Sequence, residues 1–360
     1  MRSLLPRRTF LRLSLAGSAA AGLGESLRGA TPMAVRKAAP EPALRFQAGR
    51  DVGAWQEALR VRLAAILAIA PSSAAPLVPY VTPEAETARY TMERIRFTAE
   101  PGEVVPGYLL RPKQARGPLP VMICLQGHSP GMHISIGQAR NEREKASIAG
   151  GRDLALQAVD RGWAALVIEQ RGFGERAVGA VSCNDTALRA LHAGRPLTGQ
   201  RVLDVQRAVD FIGTQPGLDA ARIACIGNST GGTVSFYAAC VEPRIGLAVV
   251  SCSFCTFEDS WMSLPHCACG YLPGILQVAD MPDLAGLIAP RRLLIVAGKQ
   301  DNLARFAGVE RGFQRAQEIF AAAGVGGNVR LIAGEGGHQF YPDQAWPVIA
   351  ELAAGMTDRR

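Results

Sequence analysis

The sequence predicts an α/β fold: a mostly parallel, doubly wound sheet with antiparallel strands on its N-terminal side and an inserted lid. Three observations predict it. From residue 119 onward, short continuous apolar runs alternate with stretches of helical periodicity. Strands buried on both faces read this way, because helices cover the sheet above and below. Before that point apolar and polar residues alternate with period two, as in strands with one wetted face. Finally, Gly227-Asn228-Ser229-Thr230-Gly231 lies where an apolar run gives way to a helix, the end of the sheet at which such folds carry their sites.

The N-terminus reads as an export signal. Pro6-Arg7-Arg8-Thr9-Phe10-Leu11-Arg12 resembles the twin-arginine pattern, and a modestly apolar stretch runs from Leu11 to Leu23. That stretch is too short and too rich in Gly and Ala for a stable spanning helix. Residues 1–30 are therefore expected to be a signal peptide, with cleavage near Ala19-Ala20-Ala21 and a competing site at Arg28-Gly29-Ala30. Cleavage after Ala21 removes Arg2, Arg7, Arg8 and Arg12, lowering the formal charge from +8 to +4. That charge bears on solubility and gives no ground for a nucleic-acid partner. The twin-arginine resemblance implies a bacterial periplasmic or secreted protein that crosses the membrane already folded. No later segment is long and apolar enough to span a bilayer.

The remaining elements follow in order. With 360 residues, 48% hydrophobic and 19% charged, the chain has ordinary globular composition and length for one to three domains. Residues 31–50 are rich in Ala and Pro and read as a linker. Trp55, Leu59, Leu63, Ile66 and Leu67 recur at helical spacing, predicting one amphipathic helix over Val52–Ala70. Residues 31–90 thus form a linker and helical extension ahead of a main domain at 91–360. Pro71–Pro83 breaks the helical pattern, and alternation at Glu93–Phe97 and Gly107–Leu110 predicts two strands joined at Pro101-Gly102. Strands are predicted at Val121–Leu125, Ala164–Ile168, Ile223–Ile226, Leu247–Val250, Leu293–Val296 and Val329–Ile332. Helices are predicted at Asp153–Asp160, Val202–Ile212, Thr233–Cys240, Phe313–Ala323 and near Trp346–Leu352. Two long irregular stretches, 171–199 and 252–283, follow strand ends, where α/β proteins place binding loops and lids.

Of the eight cysteines, Cys124 and Cys225 lie in apolar strands and read as small core residues. Cys252-x-x-Cys255 and Cys267-x-Cys269 are close enough for a metal site or a pair of bridges. C-x-C is not the usual zinc-knuckle spacing, and no His-x₃₋₅-His accompanies it, so buried thiols or disulfides are expected rather than metal.

Two G-x-S-x-G matches compete for a nucleophile. In Gly127-His128-Ser129-Pro130-Gly131 a proline follows the serine. A serine on a strand-to-helix elbow needs the next backbone N–H to bind the oxyanion, and proline has none. Around Ser229 the order strand, elbow, helix is met, the two glycines relieve crowding, and Thr230 keeps its N–H. In such elbows the partners follow as Ser, then Asp or Glu, then His. Of the five histidines, His128, His133 and His192 precede Ser229; His266 lies in the Cys-rich stretch. His338 falls in a glycine loop after the last strand, where a general base must hang over the serine. Asp301, in the loop after Leu293–Ala297, can accept from the imidazole and fix its tautomer; Glu258 and Asp259 are its rivals. The loop after Val121–Leu125 can supply the second oxyanion donor, the backbone N–H of His128, with Gln126 shaping that loop.

These residues resemble bacterial acetyl xylan esterase-like α/β-hydrolases, including cephalosporin-deacetylating and dienelactone-hydrolase-like relatives. The likeness runs from about residue 90 to the end. It is carried by Leu125-Gln126-Gly127-His128, by Glu169-Gln170-Arg171-Gly172-Phe173-Gly174-Glu175-Arg176 and by the Ser229 elbow. Asp280-Met281-Pro282-Asp283 and Ala289-Pro290-Arg291-Arg292 add to it. His266-Cys267-x-Cys269-x-Tyr271-x-Pro273-Gly274 is similar to a segment of one branch, which implies that the Cys-rich insertion is a structural lid. By the same resemblance Arg171 packs beneath the site rather than acting in it. Gln126 stands where relatives commonly have histidine. The resemblance implies a carboxylic ester hydrolase that needs no cofactor and acts on small-molecule or carbohydrate esters. The competing readings are a serine peptidase of the same fold, a binding protein on a hydrolase scaffold, and a Cys/His metal protein centred on His266, Cys267 and Cys269.

Overall fold

The computed structural model describes residues 41–69, 75–114 and 116–357. The expected signal peptide and the linker as far as residue 40 lie outside the described residues. Asp51 starts helix α1 (Val52–Ile66) by accepting from the Ala54 amide at 2.9 Å, which satisfies a donor without an intrahelical partner. Trp55, Leu59 and Leu63 are buried, so the predicted stripe faces the core; the helix ends at Ile66 rather than Ala70.

Strands β1 (Tyr80–Glu86), β2 (Tyr90–Glu100) and β3 (Glu103–Pro112) form an antiparallel meander. The sequence predicted shorter versions of β2 and β3 and missed β1. That strand is an edge, mostly exposed, with an irregularity between Pro83 and Ala85; proline is tolerated there because one side of an edge strand has no ladder to break. The rest of the sheet comprises β4 (Leu119–Leu125), β5 (Ala164–Ile168), β6 (Leu218–Asn228), β7 (Ile245–Ser251), β8 (Arg292–Gly298) and β9 (Val329–Gly334). The order is β1-β2-β3-β5-β4-β6-β7-β8-β9, parallel from β5 onward. This is the α/β-hydrolase fold.

Strand alternation divides the core in two. Val121, Ile123 and Leu125 enter one cluster with side chains of α1, while Met122 and Cys124 enter the other. Helices α5 (Leu197–Thr214), α6 (Thr230–Val241) and α8 (Phe306–Ala322) share the first face. On the second lie α3 (Leu154–Val159) and α9 (Pro342–Ala354). The short helices α2 (Glu142–Ser147) and α7 (Met281–Ala285) lie in connections. The 171–199 stretch contains α4 (Cys183–His192), which the sequence did not predict. Only Ala187 of that helix is buried, so it lacks the apolar stripe on which prediction depends.

Two buried polar networks tie strand ends together below the site. Asp204 of α5, 1% exposed, receives Arg171 at 2.8 Å and Arg176 at 2.5 Å. Arg171 also reaches Glu100 at 2.7 Å and Gln200 at 3.0 Å, so it is engaged within the scaffold, as its resemblance implied. At the end of β5, Glu169 accepts from Gln126 Nε2 at 2.6 Å and from the Met132 amide at 3.1 Å. Burial raises the Glu169 carboxyl from its ordinary 4.5 to about 7, against the pull of those backbone donors.

Removing the shared anion leaves two buried guanidinium groups short of a partner. Asp204→Ala is expected to lower the unfolding free energy by about 3 kcal/mol or more, read as a shift of the urea midpoint; a shift worth under about 1 kcal/mol would contradict this. Glu169 holds its proton more tightly folded than unfolded. Its contribution is complete below pH 4.5 and is lost as pH rises towards 7. Glu169→Gln, which imitates the protonated acid, should therefore fall less in melting temperature between pH 5 and 8 than the unsubstituted chain. Parallel curves would refute this.

Candidate active site

The serine elbow is built from strand β6 and helix α6. Ser229 joins them with φ 58° and ψ −128°, a backbone state that costs a residue with a side chain about 1–3 kcal/mol. The surroundings enforce it. A Cβ on Gly227 would lie 2.2 Å from the Gly231 carbonyl carbon, and one on Gly231 would lie 2.2 Å from Leu125 O. Both positions therefore require glycine. The Ser229 amide donates to Ser251 O at 2.8 Å, and its carbonyl accepts from Thr233 N at 2.9 Å and from the Ser253 hydroxyl.

Asp301 and His338 come together although they arise from different strands. Asp301 follows β8 and His338 follows β9; His338 Nδ1 lies 2.8 Å from Asp301 Oδ2, and the carboxylate is 2% exposed. Burial pushes the Asp301 carboxyl up. The hydrogen bond and charge of His338 and the Leu303 amide outweigh it and hold the group below its ordinary range. His338 Nε2 is buried without a partner. It faces the cleft that Ser229 also lines. A tautomer protonated at Nδ1, as the Asp301 contact favours, leaves Nε2 free to take a proton.

The other expected residues sort by distance from this cleft. Thr230 is the first residue of α6, so its N–H has no intrahelical acceptor. Across the cleft mouth its Oγ1 lies 2.6 Å from His128 Nδ1. Ser129 donates to Gly131 O at 3.1 Å and lines a separate cavity. Asp259 is committed to Arg311 and to Thr256 Oγ1 at 2.5 Å, and Glu258 is exposed. Gln126 sits below the loop, its side chain on Glu169.

His266 also lines the cleft, stacked on Trp261 with ring centroids 4.8 Å apart. Its Nε2 lies 3.0 Å from Ser260 Oγ, and burial lowers its basicity. Of the two arrangements expected of the thiols, buried and free or bridged, the structure shows the first, with Cys252, Cys255 and Cys269 buried and Cys267 partly so. All eight cysteines are free; Cys252 donates to Gln339 O at 3.3 Å and Cys255 towards Arg305 O, so neither meets Cys267 or Cys269. Burial and the Asp301 charge push the Cys252 thiol up to about 12. Two features escaped the sequence. Arg152 donates to the His338 carbonyl at 3.0 Å, bracing the loop, but nothing in Gly150-Gly151-Arg152 marks that role. Cys183 and His128 join Cys267 and Cys269 in one cluster, a grouping that spans three distant segments.

Similarity to known proteins agrees with this architecture. YtaP of Bacillus subtilis (strain 168), a hydrolase by assignment only, is 24% identical over 248 residues, covering 66% of this chain and 78% of YtaP. A structure from Bacteroides fragilis NCTC 9343, assigned as an acetyl xylan esterase, superposes with a TM-score of 0.72 at 17% identity. The match covers 89% of this chain and 93% of that one. A glucuronoyl esterase from Solibacter usitatus superposes with a TM-score of 0.66 at 16% identity, covering 89% and 99%. At these identities the two structures speak for the fold. The sequence profile of the abhydrolase family matches residues 25–319, most of the chain, and the chain belongs to the abhydrolase family.

Proposed function

We propose that this chain is a serine carboxylic ester hydrolase that works through an acyl-enzyme on esters of short acyl groups, carbohydrate esters included. The observation that carries this reading is the left-handed Ser229 facing the same cleft as an unpartnered His338 Nε2, whose Nδ1 is held by Asp301. Two similar structures carry the names acetyl xylan esterase and glucuronoyl esterase, which supports an ester substrate.

In the proposed cycle Ser229 Oγ attacks the ester carbonyl while its proton passes to His338 Nε2. The resulting imidazolium is stabilised by Asp301. The backbone N–H groups of His128 and Thr230 receive the oxyanion; losing one such donor typically costs about 3 kcal/mol of transition-state stabilisation. His338 then protonates the departing alcohol, and a water deprotonated by the same nitrogen releases the acid. No cofactor enters the cycle. The cleft measures about 180 Å³, below the roughly 300–1,000 Å³ of sites that enclose larger ligands, which favours a short acyl group. The Arg7-Arg8 segment supports export to the periplasm or medium.

The expected kinetics are specific. p-Nitrophenyl acetate should be turned over with kcat/KM roughly tenfold or more above the octanoate ester. Ser229→Ala should lower kcat by about 10⁴-fold or more and abolish labelling by a fluorophosphonate probe; Asp301→Asn should cost about 10⁴-fold with labelling slowed. Labelling that persists in Ser229→Ala would contradict the assignment. Cleavage of peptide amides in preference to esters would favour the peptidase reading.

A further inference from the structure

Four side chains meet beside the oxyanion loop without a role in the proposed chemistry: His128 after β4, Cys183 at the start of α4, and Cys267 and Cys269 in the 252–283 insertion. Their ligand atoms all lie within 4.8 Å of one another. Cys183 Sγ and Cys267 Sγ are 3.9 Å apart, and Cys269 Sγ lies 3.4 Å from His128 Nε2. A tetrahedral zinc ion with bonds of about 2.3 Å to sulfur and about 2.0–2.1 Å to nitrogen spaces its ligands about 3.8 Å (S to S) and about 3.6 Å (S to N) apart. The Cys183–Cys267 and Cys269–His128 separations are close to those values, and the remaining pairs lie within 4.8 Å.

We infer that His128, Cys183, Cys267 and Cys269 form a structural zinc site that clamps both insertions to the oxyanion loop. Soft thiolates with one imidazole suit zinc over the harder divalent cations. Four protein ligands close the shell and leave no position for water or substrate, so the metal is a clamp and not a hydrolytic centre. Binding is balanced by release of the thiol protons to solvent, giving three Zn–S bonds and one Zn–N bond and a net charge of −1 for the site.

The surroundings fit that charge and geometry. Arg201 is 1% exposed; its Nη2 donates to Cys183 Sγ at 3.3 Å and to Arg171 O, and its Nη1 has no partner. Among the described contacts no carboxylate neutralises this guanidinium. A trithiolate zinc site would do so. Cys183 is the first residue of the ten-residue helix α4, where the helix dipole favours a thiolate. The turn carrying the other two thiols is held by Thr198 Oγ1 on Cys269 O and by Ala268 N on Asn184 Oδ1 at 2.9 Å. His128 Nδ1, 2.6 Å from Thr230 Oγ1, can donate to that hydroxyl. This is the outer contact that commonly orients a metal-bound histidine and leaves Nε2 for the ion. The rim of the cluster at His128 is exposed, giving an ion a way in.

A disulfide explains less. Bridging Cys183 to Cys267 would need the sulfurs to close from 3.9 Å to about 2.05 Å. It would leave Cys269, His128 and the unpaired Arg201 charge unaccounted for. The corrected grouping also differs from a site centred on His266, which turns to Ser260 instead.

The clamp has a consequence that rests on the proposed esterase reading. Through His128 the ion holds the loop whose backbone N–H receives the oxyanion, and through the His128–Thr230 contact it touches the residue bearing the second donor. His128 is in this sense a positioning residue through its ring. The metal test itself needs no substrate, so its failure is separable from failure of the esterase reading.

The test uses the untagged chain, purified without chelator under mild reducing conditions. Elemental analysis is expected to find about one zinc per chain, tightly enough held to survive gel filtration, with near-complete loss in Cys183→Ser and Cys269→Ser and retention in Cys255→Ser. Replacement by cobalt(II) in the unsubstituted chain should give the intense visible bands and sulfur-to-cobalt charge transfer of a tetrahedral thiolate site. This readout stands even if a serine variant fails to fold. Removal by dipicolinate should lower kcat/KM for p-nitrophenyl acetate by about tenfold, restored by zinc. A wild-type chain that takes up neither zinc nor cobalt would overturn the site, as would full zinc retention in a folded Cys269→Ser. A thiol count two short after non-reducing denaturation would replace it with a disulfide. Unchanged turnover after complete zinc removal would overturn the positioning role.

Discussion

Ser229 takes a positive φ at a point where three backbone segments pass too close together for a side chain at Gly227 or Gly231. Leu125 O presses on Gly231, Gly231 presses on Gly227, and Ser253 and Thr233 hold the Ser229 carbonyl from the far side. The strain is local, about 1–3 kcal/mol, and the parallel register β4–β6–β7 bears it. It sits where β6 passes into α6, and Ser229 and Thr230 both line the cleft. Everything else in the site is arranged around that fixed point. Asp301 and His338 need only the ends of β8 and β9, two and three strands along the same sheet from β6.

The loop after β4, proposed to receive the oxyanion, is held by several buried polar groups. Gln126 and Met132 are tied to Glu169, Gln170 Nε2 donates to Gln126 O at 2.6 Å, and the Arg171–Asp204–Arg176 group fixes the loop beneath. A buried acid raised to about 7 and an ion network are costly ways to hold a loop, since desolvation offsets much of what they contribute. Their geometric precision suits a site in which a displaced donor loses catalysis rather than stability. The proposed zinc clamp would act on the same loop from the opposite side.

The sheet strands from β4 to β9 were legible in the sequence because each carries a short run of apolar residues; in β4, β5 and β7 nearly every residue is buried, whereas β9 at the sheet edge exposes Arg330 and keeps only a weaker signal. The turn at Ser229 was legible because glycines flank a serine between an apolar strand and a helix, and the structure forms that strand, turn and helix in order. Asp301 and His338 were legible from chain order and from their places after strand ends, and the structure brings their side chains together. Where the signal failed, the cause was physical. Strand β1 is an exposed edge with a proline, and α4 buries one residue, so neither carries a pattern. Arg152 acts through a backbone carbonyl, which leaves no trace in residue type. Nearness in sequence drew attention to Cys252 and Cys255 and to Cys267 and Cys269, without marking Cys183 or His128 as their neighbours. The fold instead brings Cys183, 84 residues away from Cys267, and His128, 141 residues from Cys269, to the same place.

The proposed cycle requires that Ser229 become covalently acylated during turnover. Rapid acid quench of the enzyme with p-nitrophenyl acetate, followed by intact-mass and peptide analysis, tests it directly. One acetyl group per chain is expected within the first turnover, on the peptide containing Ser229, in step with a burst of p-nitrophenol. Turnover with no burst and no adduct, or an adduct on another residue, would contradict it.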